Sequence, residues 1–291
     1  MHTTRPWLTS LTSRTSRRSR LIALVALCAL NAFVGCAPRT MSSLSCSADI
    51  HDDAAAATIK LTALASADPS NKEPQLCLAY AYIAQQKYPA AVEASTSALA
   101  IDKDDALALR MRAFARYRLG SYPQAIEDAN ASLRSETSGE AYEILGKCKM
   151  RTGDAAGAAE DFRIWANLDK SIEARCWMGS ALWTTGDTAG ALNTWLAAEL
   201  AAPHDPEPLI WKCGFLYRAG DKSGALAAAQ RAVEMAPKSP QTLGALARVQ
   251  AWSGDEGGAA ATVAQLNVTN PAAAAKLAKE LKSSVPTATV K

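Results

Sequence analysis

From about residue 54 onward, alanine-rich amphipathic stretches alternate with short polar turns, and the turns fall on a regular grid. Gln86, Gly120, Gly153, Gly186, Gly220 and Gly254 are spaced 34, 33, 33, 34 and 34 residues apart. Five residues after each stands an alanine: Ala91, Ala125, Ala158, Ala191, Ala225 and Ala259. Seven residues before each stands another small residue: Ala79, Ala113, Gly146, Gly179, Cys213 and Ala247. Pro203, Pro237 and Pro271 follow three of the turns by seventeen residues, and one step backward the grid reaches Pro69.

A fixed period of this length in helical sequence predicts a stack of two-helix units. A glycine at the turn ends the first helix with a positive φ at no steric cost. The two small residues let the antiparallel helices approach closely where they cross. A proline at the unit boundary stops the second helix, because it has no N–H to continue the ladder. One such hairpin cannot bury its apolar face alone, so the units must stack. Trp165, Trp177, Trp195, Leu196, Phe162 and Leu226 fall where helix–helix contacts belong and read as core. Cys148 and Cys213 sit at or beside the small-residue position and read as buried small hydrophobes.

The segments Leu119–Ala129 (LGSYPQAIEDA), Thr185–Trp195 (TGDTAGALNTW) and Ala219–Pro240 (AGDKSGALAAAQRAVEMAPKSP) resemble the tetratricopeptide repeat family. The resemblance runs over roughly residues 52–273. It implies an all-α fold, a right-handed α-solenoid of antiparallel hairpins with about six repeats and terminal capping helices. The units are 72–105, 106–138, 139–171, 172–205, 206–239 and 240–273, with a half-repeat helix at 52–71 and a capping helix and tail at 274–291. Gln86 departs from the family's turn glycine, and Lys103, Thr137 and Lys170 stand in place of the boundary proline.

The resemblance also implies that the first helix of each unit lines a concave groove that takes a peptide. The lining positions supply Arg110, Phe114, Tyr117, Arg118, Lys147, Arg151, Trp183, Tyr217, Arg218, Arg248 and Trp252 as candidate partner-binding residues. Glu73, Glu140, Glu143, Glu173 and Glu207 fall nearer the helix starts and form an acidic margin. Arginines with aromatic rings suit charge-assisted hydrogen bonds and flat apolar contacts to an extended segment. The same acids, however, are favoured at helix starts by the macrodipole alone, and Glu143 and Lys147 can pair along one helix. The family's clamp for C-terminal carboxylates is missing: position 9 holds Tyr80, Phe114, Lys147, Ser180, Gly214 and Arg248, with no asparagine.

The first 35 residues have a different character. Arg5, Arg14, Arg17, Arg18 and Arg20 stand without any acid, ahead of an apolar run from Leu21 to Val34 broken only by Asn31. This is the layout of an export signal, and the run is short for a membrane span of roughly 20 residues. Phe33-Val34-Gly35-Cys36 resembles the lipobox of bacterial lipoprotein precursors. That implies a signal peptide over 1–35, lipidation at Cys36, and a tether over 36–51 holding the array at the cell envelope, facing the periplasm. Cleavage to a soluble exported form and an uncleaved anchor are the alternatives.

Removing this segment changes the charge balance. It holds five of the 31 basic side chains and none of the 28 acidic ones, so the remainder is slightly acidic. Such a body gives no long-range attraction to nucleic acid.

Among the cysteines, Cys46, Cys77, Cys148, Cys176 and Cys213 are widely spaced with no CxxC, which allows one disulfide but no framework. His51 and His204 are the only histidines of the body, so no metal site or cofactor is expected. The chain has no GxSxG, GxGxxG or Walker-type loop. The expectation is a non-catalytic scaffold or adaptor for protein or peptide partners. An accessory subunit of an envelope enzyme complex is the alternative, as is a polysaccharide-binding module built on Trp183, Tyr217 and Trp252.

Overall fold

The computed structural model describes residues 47–284, which form fourteen α-helices with no strand among them. Helix α1 (Ser47–Ala67) stands alone at the start. Six hairpins follow: α2 (Glu73–Ala84) with α3 (Tyr88–Ile101), α4 (Ala106–Arg118) with α5 (Tyr122–Ser135), and α6 (Gly139–Thr152) with α7 (Ala155–Asp169). The others are α8 (Ile172–Thr185) with α9 (Thr188–Ala201), α10 (Glu207–Arg218) with α11 (Lys222–Met235), and α12 (Pro240–Ser253) with α13 (Glu256–Thr269). Helix α14 (Pro271–Ser284) closes the array. The described chain is thus an all-α solenoid of paired antiparallel helices.

Each turn is built as the spacing requires. Gly120, Gly153, Gly186, Gly220 and Gly254 all have φ between +81° and +93°. Gln86 takes the same left-handed conformation with φ +59°, despite its side chain. The residue after four of these glycines is an aspartate that starts the second helix. Asp154, Asp187, Asp221 and Asp255 accept hydrogen bonds from the N–H groups of Gly157, Gly190, Gly224 and Gly258 at 2.8–2.9 Å. Each therefore satisfies one of the N–H groups left open at a helix start. The Gly-Asp pair both ends one helix and begins the next.

The small-residue grid marks where the helices cross. Ala91, Ala125, Ala158, Ala191 and Ala225 are fully buried. At the partner position, Gly146 lies under the Phe162 ring and Gly179 under the Trp195 indole. Phe162, Trp165, Trp177 and Trp195 are core, as read from the sequence, and Trp195 stacks on Phe215 with centroids 4.5 Å apart. Leu226 is half-buried at the edge of the core. Leu196 is exposed, contrary to its core assignment: the turn of helix that buries Trp195 and Ala198 points Leu196 outward.

The ends also differ from the sequence reading. Helix α1 begins at Ser47, inside the stretch expected to be a tether, and breaks at Asp53, whose backbone is extended (φ −153°, ψ 93°). The Asp53 carboxylate caps the continuation by accepting from the N–H groups of Ala55 and Ala56 at 3.0 Å. Cys77, buried in α2, is disulfide-bonded. Cys148, Cys176 and Cys213 are buried thiols. The signal segment and Cys36 lie outside the described residues.

Candidate functional site

First helices of successive hairpins touch one another along most of the array, from α2 with α4 to α12 with α14. Second helices of successive hairpins make no comparable contact. The stack is therefore tighter on the side of α2, α4, α6, α8, α10 and α12, which line its inner face. Helices α6 and α8 are joined by the Lys147–Glu173 ion pair. All eleven candidate partner-binding residues lie on these inner helices, but they divide into two groups.

Three of the cations are engaged in ion pairs. Arg110 is buried, with its Nη1 donating to Glu136 at 2.9 Å and its Nε 3.6 Å from Glu140. Lys147 is buried between Glu143 at 2.5 Å and Glu173 at 3.3 Å, with its ammonium 5.5 Å and 5.1 Å from the Trp165 and Trp177 ring centroids. Arg248 donates to Glu280 of α14 at 2.8 Å and 3.4 Å. These residues join one hairpin to the next. Glu136 and Glu143 of the same unit, with Glu140, Glu173 and Glu280 of the next, thus neutralise these three lining cations.

The second group gathers toward the C-terminal ends of the inner helices. The Arg118 guanidinium lies 4.5 Å from the Tyr88 ring centroid and 5.8 Å from that of Phe114. Phe114 and Tyr117 are buried. Burial pushes the Tyr117 phenol up, while nearby Lys147 and Arg151 pull it down. Arg151 is exposed. Further along, Arg218 lies 5.3 Å from the Phe215 ring, which packs 5.4 Å from Trp183. Tyr217 and Trp252 pack with centroids 5.2 Å apart, and the Tyr217 hydroxyl donates to the Trp252 carbonyl. Trp183, Tyr217 and Trp252 are half-buried against their neighbours and do not stand out as open platforms.

The acidic margin contributes more than helix-start electrostatics. Glu173 accepts from the Trp177 indole N–H, and Glu207 from the Trp211 indole N–H, each at 3.3 Å. Trp165 donates to Asp169 at 2.9 Å. Burial pushes the carboxyls of Glu143 and Glu207 above the ordinary range.

Sequence reading missed a further set of buried ion pairs behind the inner helices. Asp128 holds Arg112 and Arg116, and Asp161 holds Lys149, all at 2.7 Å. Asp128 and Asp161 are one period apart, so the repeat grid carried the signal. Among the described residues no three His, Cys, Asp or Glu side chains are grouped to hold a metal ion.

This arrangement defines a helical-hairpin solenoid with an inner face of mixed charge. Residues 76–137 and 110–172 match the tetratricopeptide repeat family model. No curated protein sequence matches the chain. Among solved structures, a tetratricopeptide repeat protein from Parabacteroides merdae is similar at 18% identity and a TM-score of 0.67, covering 84% of this chain and 98% of its own. The type IV pilus biogenesis factor PilW is 20% identical with a TM-score of 0.58, covering 73% of this chain and 97% of its own. YrrB, described as a tetratricopeptide repeat protein with an unusual peptide-binding site, is 18% identical with a TM-score of 0.50, covering 63% of this chain and 95% of its own.

Proposed function

We propose that the protein is a non-catalytic scaffold that holds a segment of a partner protein along the inner face of its solenoid. One observation carries this reading: arginines and aromatic rings gather at the C-terminal ends of α4, α6, α8, α10 and α12, on one face. A guanidinium held over a ring is fixed in place, and its planar fork suits the carboxylate and carbonyl oxygens of an extended segment. The fold it shares with YrrB, whose site is described as peptide-binding, supports the same use.

The proposal includes lipid anchoring at the bacterial envelope through Cys36. Its supports are the arginine-rich start, the apolar run before Phe33-Val34-Gly35-Cys36, and the disulfide at Cys77. Structural disulfides persist in oxidising compartments and are rare in the cytosol.

The test is site-specific photocrosslinking in intact cells from Arg218. One discrete partner, lost in the Arg118→Glu/Arg151→Glu variant, is the expected result. Capture only from positions after Pro271 would move the binding surface to the end of the array and sink this reading. Anchoring is tested by Cys36→Ser, which should release the protein from the membrane fraction. A variant that stays membrane-bound refutes it.

A further inference from the structure

The grid of turns extends one step ahead of the first hairpin. Asp52 stands 34 residues before Gln86, and the chain around it is built like the other turns. Helix α1 breaks at Asp53, whose carboxylate caps the continuation, as do Asp154, Asp187, Asp221 and Asp255 one residue past their own turns. Ala57, five residues after Asp52, is buried like Ala91 and its counterparts. Ahead of the break, Ile50 is buried and His51 Nε2 lies 3.1 Å from the Tyr80 hydroxyl of α2. Residues 47–52 therefore sit as the last turn of a first helix, and the rest of α1 as the second helix of the same hairpin.

Two independent observations point to what covers this end of the array. The first is Leu64, twelve residues past Asp52. At that offset Ala98, Ser132, Trp165, Ala198, Ala232 and Leu266 are all buried, whereas Leu64 is 48% exposed. In an interior hairpin the position packs on the start of its own first helix: the Ser132 hydroxyl donates to the Ala106 carbonyl at 3.0 Å. The counterpart of Ala106 is Pro38, ahead of the described residues. A proline suits a first helical position. Beyond it, Met41 falls in register with the buried Leu109, Leu209 and Leu243, and Ser45 falls on the small-residue grid.

The second observation is the disulfide at Cys77. Cys148, Cys176 and Cys213 are free thiols, which leaves Cys28, Cys36 and Cys46 as its partner. Adjoining inner helices meet at about one repeat of separation, as Arg248 and Glu280 do across 32 residues. Cys46 and Cys77 are 31 residues apart. Cys46 also stands one helical turn before Ile50, and Cys77 one turn before Tyr80. The contact of His51 with Tyr80, followed back by a turn on each side, therefore leads from Cys77 to Cys46.

We propose that residues 38–52 form the first helix of a seventh hairpin, which covers Leu64 and is fastened to α2 by a Cys46–Cys77 disulfide. The bond forms by thiol–disulfide exchange: both thiols give up their protons, the two sulfurs join, and two electrons pass to an oxidised dithiol that leaves as two thiols. A terminal unit has one neighbour where an interior unit has two, so it is the unit that packing alone holds least. The cross-link offsets this by restricting the unfolded chain. The stretch after Cys36 is then a helix and not a tether. With the lipid anchoring proposed above, on which this consequence alone rests, the acylated cysteine stands at the foot of the folded array and fixes how the array is presented to the membrane.

The experiment is non-reducing peptide mapping of the intact protein, followed by hydrogen–deuterium exchange. A peptide containing Cys46 joined to one containing Cys77 is expected. A link from Cys77 to Cys28, to Cys36 or to a second chain overturns the clamp. In exchange, the amides of residues 42–52 should be protected about 100-fold or more relative to an unstructured chain. Exchange there at the unstructured rate overturns the seventh hairpin. Cys46→Ser should speed exchange in that segment and in α1 about 10- to 100-fold, the scale of a lost cross-link, while α4 to α14 stay as they are. No change in the variant overturns the clamp. Partner capture from Arg218 is read separately, so the scaffold reading stands or falls on its own.

Discussion

The closest helix–helix approach in the fourth hairpin depends on the absence of one methyl group. A Cβ on Gly179 of α8 would stand 2.5 Å from Trp195 Nε1 and 2.6 Å from its Cε2, about an ångström inside ordinary contact. The indole cannot give way easily. It is fully buried, its N–H donates to the Cys176 carbonyl at 3.2 Å, and its far face stacks on Phe215 at 4.5 Å. Gly179→Ala must therefore overpack the crossing, at about 1–3 kcal/mol, and strain or break a buried hydrogen bond, at about 1–3 kcal/mol. Better helix propensity returns about 1 kcal/mol. The net expectation is destabilisation of about 1–5 kcal/mol, which for an array of this size lowers Tm by roughly 2–20 °C. Gly214→Ala is the matched control, because nothing lies within 4 Å of its Cβ position. That substitution should stabilise by about 0.5–1 kcal/mol. The assay is urea unfolding followed at once by circular dichroism and tryptophan fluorescence. If the two substitutions shift the midpoint in the same direction, close packing at the grid position does not organise the hairpin.

Three further outcomes follow from the structure. Gln86→Gly should stabilise the protein by about 0.5–1 kcal/mol in thermal melts, by removing the cost of a side chain at φ +59°; a loss of stability would mean that the Gln86 side chain contributes to the turn. Lys147→Met should cost about 3–5 kcal/mol at pH 7.5, since it leaves two partly buried carboxylates without their cation. Burial already raises the Glu143 carboxyl above its unfolded range, so ionising it opposes folding and stability falls as pH rises through that window. Removing Lys147 raises it further, so the deficit measured in melts should shrink at pH 5 and in the Glu143→Gln background. A deficit independent of pH would refute the electrostatic account. Burial pushes the Cys148 thiol up to about 12 and raises Cys176 well above its ordinary value, so both should resist a thiol reagent at pH 8 until the chain unfolds. Rapid labelling of either in the native protein would contradict the packing.

The architecture was legible because it is carried by backbone requirements that recur. A positive φ at each turn and a close approach at each crossing restrict the residue type at the same offset in every unit. Gln86 shows that the restriction is energetic and not absolute, since the backbone there keeps its conformation without glycine. The inner face was less legible. Its lining residues could be named from position along the helix, but their availability depends on partners 26 to 32 residues away, as in Arg110 with Glu140, Lys147 with Glu173, and Arg248 with Glu280. Such pairs follow from how one unit sits on the next, which the pattern within a helix does not specify. The Gly-Asp turns were visible in the sequence as well, yet the capping role of the aspartate emerges only when its carboxylate is placed over the next helix start.

The hairpins meet only their immediate neighbours, and that sets how the molecule responds to load. Heat or pull applied at one end need open only the outermost unit, and the rest can follow one joint at a time. A segment laid across the inner helices spans several joints at once. It would act as a splint, converting a chain of separately yielding joints into a length that opens together. A partner bound this way is held by the array and in turn stiffens it, so occupancy would be felt at hairpins the partner never touches.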